Sequence, residues 1–186
     1  MCVDFFSTTV CESGATCVLP TVHRRLCNEE IRDELFGLGD HPSGSELPAF
    51  IDTNFANAGT EWIATVNNPN GRTLKFKPID NCVPLFRQPA NEEQKRCDGM
   101  LHYPNKVIFV ELKTGTNKGF IKSGREQLTE TILAFRQHHT ADNYDEEAYI
   151  SNIQEPFFPQ SISDHMQQFL DETGLLLEVN RVINIT

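Results

Sequence analysis

The chain has 186 residues, 39% of them hydrophobic, and a formal net charge of −10 at pH 7. That length suits one domain with a substantial core. The acidic balance excludes a protein that coats nucleic acid by bulk attraction, and no run approaches the roughly 18 apolar residues of a membrane span.

Residues 1–45 read as an N-terminal extension of unclear role. Its start, MCVDFFSTTVCESG, has Asp4 early and no basic stretch before an apolar one. It does not resemble a secretory leader, so a cytoplasmic protein is expected. NEEIRDELFGLG fits a short helix capped by Asn28, and GDHPSGSELP reads as a loop. From Phe50 the pattern firms up. Phe55, Ala58, Trp62 and Val66 recur at helical spacing, so a helix is expected there. The competing reading is a strand over 62–66, paired with 73–77 across NNPNG. TLKFKPI alternates as a strand. RCDGMLHYPNKVIFVELKTG reads as a hairpin turning at Tyr103-Pro104-Asn105-Lys106. Its second strand sets Phe109, Glu111 and Lys113 on one face, and Ile108, Val110 and Leu112 on an apolar core face. SGREQLTETILAFRQHH follows as a helix. Ser123 and Glu126 form its capping box, Leu128, Ile132 and Phe135 its apolar stripe, and His138 and His139 answer its C-terminal dipole. EEAYISNI is a strand. Phe157 and Phe158 then fall in a loop, and SISDHMQQFLDETG is a helix capped by Ser161 or Ser163. LLLEVNRVINIT is a last strand. The expected class is α/β, a mixed sheet flanked by helices. Residues 46–186 form its domain.

Six cysteines stand at 2, 11, 17, 27, 82 and 97, with no C-x-x-C spacing and no Cys/His cluster. Reduced thiols are expected, several of them buried. Charge is uneven. Residues 72–125 hold eleven Lys/Arg and five acids, a net +6, while the remainder is −16. Either this is a local basic surface for a polyanion or a chance cluster on a solvated face.

Counting back from the hairpin turn sets Asp98 opposite Glu111. Directly facing strand residues lie roughly 4.5–5.5 Å apart at Cβ, and like charges there repel. A shared proton would relieve the pair. So would a divalent cation. Mg²⁺ prefers hard oxygen ligands and is held by one or two carboxylates plus a phosphate. Asp98, Glu111 and the Leu112 carbonyl could supply such a corner, with Lys113 beside it to orient a water or stabilise transition-state charge. The plainer alternative is a solvent-facing Glu111–Lys113 pair of little consequence.

Asp98, twelve intervening residues, then Glu111-Leu112-Lys113 on paired strands resembles the PD-(D/E)XK phosphodiesterase superfamily. The resemblance spans about Phe50 to Ile153. It implies a restriction-endonuclease-like core of helix, three-stranded meander, helix and strand, with a C-terminal helix and strand added here. It further implies a Mg²⁺- or Mn²⁺-dependent nuclease, with DNA the favoured substrate bound near residues 72–125 and a homodimer as one natural arrangement. The metal residues would be Asp98, Glu111 and Leu112, and the catalytic set Asp98, Glu111 and Lys113. Glu61 in GTEW would be the acid on the helix before the meander. Gln127 would be the glutamine that some branches carry after the motif, though Thr131 replaces their following tyrosine, and Cys97 replaces the usual proline before the aspartate. The alternative function is a catalytically inactive relative that binds a basic protein through its acidic body, as an immunity protein would.

Overall fold

A computed structural model describes residues 3–6, 27–42, 44–45, 47–87, 92–115, 119–139, 143–154 and 162–186. The elements in chain order are β1 (Glu29–Ile31), β2 (Leu35–Gly39), β3 (Phe50–Asp52), a 3₁₀ turn (Phe55–Asn57), β4 (Ala64–Asn67), β5 (Leu74–Pro78), β6 (Phe86–Arg87), β7 (Glu92–Glu93), β8 (Gly99–Tyr103), β9 (Lys106–Lys113), α1 (Phe120–His138), β10 (Asp145–Asn152), α2 (Ile162–Thr173), β11 (Leu177–Val179) and β12 (Val182–Asn184). The fold is mixed α/β. One sheet runs β1-β5-β8-β9-β10-β11, a second β12-β4-β2-β3, and β6 pairs with β7.

The layers follow from β9. It is buried from Val107 to Leu112, so it is covered on both sides. Val107 and Phe109 pack with Leu128, Ile132 and Phe135 of α1 and Phe169 of α2. Ile108, Val110 and Leu112 pack with Phe36, Leu38, Ala64 and Val66 of the second sheet. Helices, a six-stranded sheet and a four-stranded sheet therefore stack in that order. The hairpin register is the one expected, Tyr103 against Lys106 and Gly99 against Val110. Asn105 takes a φ of 63°, the left-handed position that follows proline in a type II turn. After α1 the chain returns as β10, parallel to β9. That right-twisted crossover brings the helix back over the sheet.

Several expectations are corrected. No helix spans 55–66. The chain makes the 3₁₀ turn and then β4, so the strand reading holds in part. But β4 pairs with β2 and β12, while β5 pairs with β1 and β8, and no 62–77 hairpin forms. Burying Trp62 decides this. A Cβ at Gly37 would lie 2.1 Å from its ring, so the indole packs flat over a glycine of β2 and holds the segment extended. NEEIRDELFGLG is β1 and β2, not a helix. The segment 1–45 is thus no mere extension, since β1 edges one sheet and β2 is internal to the other. Helix α1 starts earlier than the proposed capping box, with Gly119 as N-cap, which leaves Ser123 inside the first turn. Ser163 lies inside α2, and Ser161, Phe157 and Phe158 lie outside the described residues. The last strand is two, split at Asn180-Arg181 between the two sheets. The ring of His138 accepts the Val3 N–H through Nδ1, and that of His139 the Phe5 N–H through Nε2. These two bonds anchor residues 3–6 against the C-terminal end of the helix. Burial also holds the His139 pKa below its ordinary value.

Cys27 and Cys82 form a disulfide across a sequence separation of 55, against the expectation of reduced thiols. Cys97 is a buried free thiol, and Cys2, Cys11 and Cys17 lie outside the described residues. Among the described residues no helix is long and apolar enough to cross a membrane. The disulfide tethers β1 to the turn after β5. Closing a loop of that length removes unfolded-state entropy worth about 4 kcal/mol. We expect Cys82→Ser to lower unfolding stability by roughly 2–4 kcal/mol, read from denaturant titrations.

Candidate active site

Strands β8 and β9 carry the Asp98–Glu111 pair. Asp98 immediately precedes β8, and its Oδ2 accepts the N–H of Leu112 at 2.5 Å. Asp98 is 8% exposed and Glu111 fully buried. Glu111 contacts the Lys113 ammonium through Oε1. A Cβ at Gly124 would lie 3.2 Å from Glu111 Cγ and 3.0 Å from Ile150. Glycine there lets α1 lie close over the carboxylate.

Lys113 is held from a second side. Its Nζ donates to Gln127 Oε1 at 3.0 Å, while Gln127 Nε2 donates to the Arg96 carbonyl at 2.9 Å. The Ser123 hydroxyl donates to the same Gln127 oxygen at 3.1 Å. Gln127 is therefore more than a polar residue on a helix surface. It ties α1 to the lysine and to the backbone entering Asp98. The plain surface-pair reading of Glu111 and Lys113 does not describe this geometry, because Glu111 has no solvent contact.

Electrostatics follow from burial. Desolvation raises Asp98 to about 7, helped by the Asp40 carboxylate and opposed by the Leu112 N–H. Burial, then the Asp98 charge, pushes Glu111 well above the usual carboxylate range against the pull of Lys113. For Lys113 burial acts downward, but Glu111 outweighs it and the amine is raised, so it stays an ammonium. Burial makes the Cys97 thiol harder to ionise.

The site opens into a cleft of about 850 Å³ whose walls include Asp40, His41, Asp80, Asp98, Lys113 and Phe120. Leu112 also lines it. Glu61 does not. It is exposed in the turn before β4 and outside the cleft lining. The helix meant to carry it does not form. The cleft acids that the sequence reading missed are Asp40, which follows β2, and Asp80, which ion-pairs with Arg96 at 3.1 Å. Desolvation raises Asp40 as well. The only sequence signal for them was their place in polar turns after strands.

Two facing buried carboxylates beside a single ammonium fit a hard divalent cation such as Mg²⁺ or Mn²⁺. Asp98 and Glu111 would hold it, at a site that Leu112 also lines. Among the described residues no three His, Cys, Asp or Glu are grouped as a metal cluster, so a cation here would take further oxygens from water or a phosphate. Comparison with protein-family models, with characterised proteins and with solved structures finds no match to this chain.

The raised Asp98 pKa has a definite stability consequence. Between pH 3.8 and about 7 the folded protein binds more protons at Asp98 than the unfolded chain, so this residue's contribution to stability falls as pH rises through that window. Asp98→Asn keeps the acceptor for Leu112 and removes the charge. In EDTA at pH 8 we expect the variant to melt higher than wild type, by roughly 2–4 °C for each kcal/mol of repulsion removed. At pH 4 the two should converge.

Proposed function

We propose that the protein is a divalent-cation-dependent nuclease that hydrolyses phosphodiester bonds, with DNA the favoured substrate, in the manner of the PD-(D/E)XK superfamily. The observation that carries this reading is the buried Asp98–Glu111 pair beside an ammonium, opening into a cleft. The restriction-endonuclease-like core is part of the proposal. In its support, β5, β8 and β9 form an antiparallel meander followed by α1 and the parallel strand β10. Among the described residues no α-helix precedes β5.

A bound Mg²⁺ or Mn²⁺ would acidify a coordinated water and neutralise charge on the scissile phosphate. The chain's own residues set the rest. Glu111 and Gln127 fix the Lys113 ammonium at the cleft wall, where it stabilises charge developing on the phosphate oxygens. Gln127, pinned to the Arg96 carbonyl, keeps the lysine from collapsing wholly onto Glu111. The leaving sugar oxygen takes its proton from solvent as water replaces it on phosphorus. The cytoplasmic expectation has the Cys27–Cys82 disulfide against it, since such bonds persist mainly in oxidising compartments.

An isothermal Mn²⁺ titration tests the site. Wild type should bind and Asp98→Ala should not, with wild-type affinity climbing as pH passes about 7, where Asp98 ionises. Glu111→Ala should abolish DNA cleavage, and undiminished cutting by that variant would rule the assignment out. Lys113→Ala should cost on the order of 10²-fold in rate. Absence of both cation binding and cleavage, with tight capture of a basic protein, would favour the inactive binding-protein reading.

A further inference from the structure

Resting on the nuclease reading, we propose that the cleft takes single-stranded nucleic acid and excludes duplex, gripping bases on Phe120 and His41 instead of tracking a phosphate backbone. The charge arrangement comes first. Among the described residues, Lys113 is the one Lys or Arg in the cleft lining, against Asp40, Asp80 and Asp98. Several bases of the segment 72–125 are already engaged. Lys95 pairs with Glu126 at 2.5 Å and Arg96 with Asp80 at 3.1 Å. Lys106 pairs with Asp145 at 2.9 Å and Glu147 at 2.5 Å, and Arg125 with Glu172 at 2.9 Å. Lys77 is 1% exposed. Duplex DNA presents a negative charge about every 1.7 Å along its axis and is held mainly by releasing counterions to such bases. A lining with one lysine offers few of them.

The aromatic placement comes second. Phe120 opens α1, half-buried against the helix-side core, and lines the cleft. His41 lines it from the loop after β2, its ring braced on Phe50 with centroids 4.9 Å apart. Every base has a π face, so aromatic side chains hold single strands with little need of charge. The cleft volume of about 850 Å³ falls within the roughly 300–1,000 Å³ range that encloses compact organic ligands, enough for unstacked nucleotides.

The test is fluorescence anisotropy of a labelled 12-nucleotide single strand and of its duplex, in Mn²⁺, with the Glu111→Ala protein to prevent cutting and wild type for parallel cleavage assays. The single strand should bind at least 10-fold tighter than duplex, with a salt slope of only about −1 to −2, the mark of few phosphate contacts. Phe120→Leu, which keeps the apolar packing without the π face, and His41→Ala should each weaken single-strand binding by roughly 5- to 100-fold. Duplex binding as tight as single-strand binding, or wild-type affinity in both variants, overturns the inference. If duplex is cut in a Glu111-dependent way, the nuclease reading survives that failure. If neither form is bound or cut, both fall.

Discussion

The register of the β8–β9 hairpin is the constraint on which the site depends. Pro104-Asn105 fixes the turn, the turn fixes the pairing, and the pairing leaves Asp98 across from Glu111 with Leu112 bonded to the Asp98 carboxylate. A slip of one residue would turn Glu111 out of its pocket and expose the apolar residues beside it. The same strand, β9, is the centre of both cores. Moving the carboxylate would thus mean repacking both layers. A costly charge pair is kept in place by burial that has nothing to do with charge.

Helix α1 completes the arrangement. Its apolar stripe buries Leu128, Ile132 and Phe135 against the sheet. That docking orients Gln127 toward Lys113 and the Arg96 carbonyl, and sets Gly124 against Glu111. The glutamine acts as a strut between three elements. Thr131 extends this contact one turn on, its hydroxyl accepting the Cys97 N–H at 2.8 Å beside Asp98. The backbone entering the aspartate is therefore held from the helix side.

The far wall of the cleft comes from elsewhere in the chain. Asp40 and His41 follow a strand of the second sheet, and Asp80 follows β5 in the turn that Cys82 ties to the N-terminal side. Asn81, at a φ of 61°, makes that turn tight. The cleft is thus assembled where the two sheets meet the start of α1, with the disulfide fixing one of its rims. Five of the eleven bases of residues 72–125, namely Lys95, Arg96, Lys106, Lys113 and Arg125, are ion-paired, which offsets part of the local +6 of the sequence.

The sequence by itself determined what depends on local period and turn chemistry. The hairpin with its Pro-Asn turn, the facing of Asp98 and Glu111, the stripe of α1, the strand after it and the Gly174 stop of α2 were all legible there. Lys113 beside Glu111 was legible from strand alternation, whereas Gln127 rested on the resemblance alone. Tertiary structure decided the rest. Trp62 lying over Gly37 overrode a helical spacing at 55–66, because burying an indole outweighs a weak periodicity interrupted by Gly59. That removed Glu61 from the site. Asp40, His41 and Asp80 reached the cleft through strand order, and Cys27 reached Cys82 through the pairing of β1 with β5. Contacts of long sequence separation leave no local period, so only the packed fold could specify them.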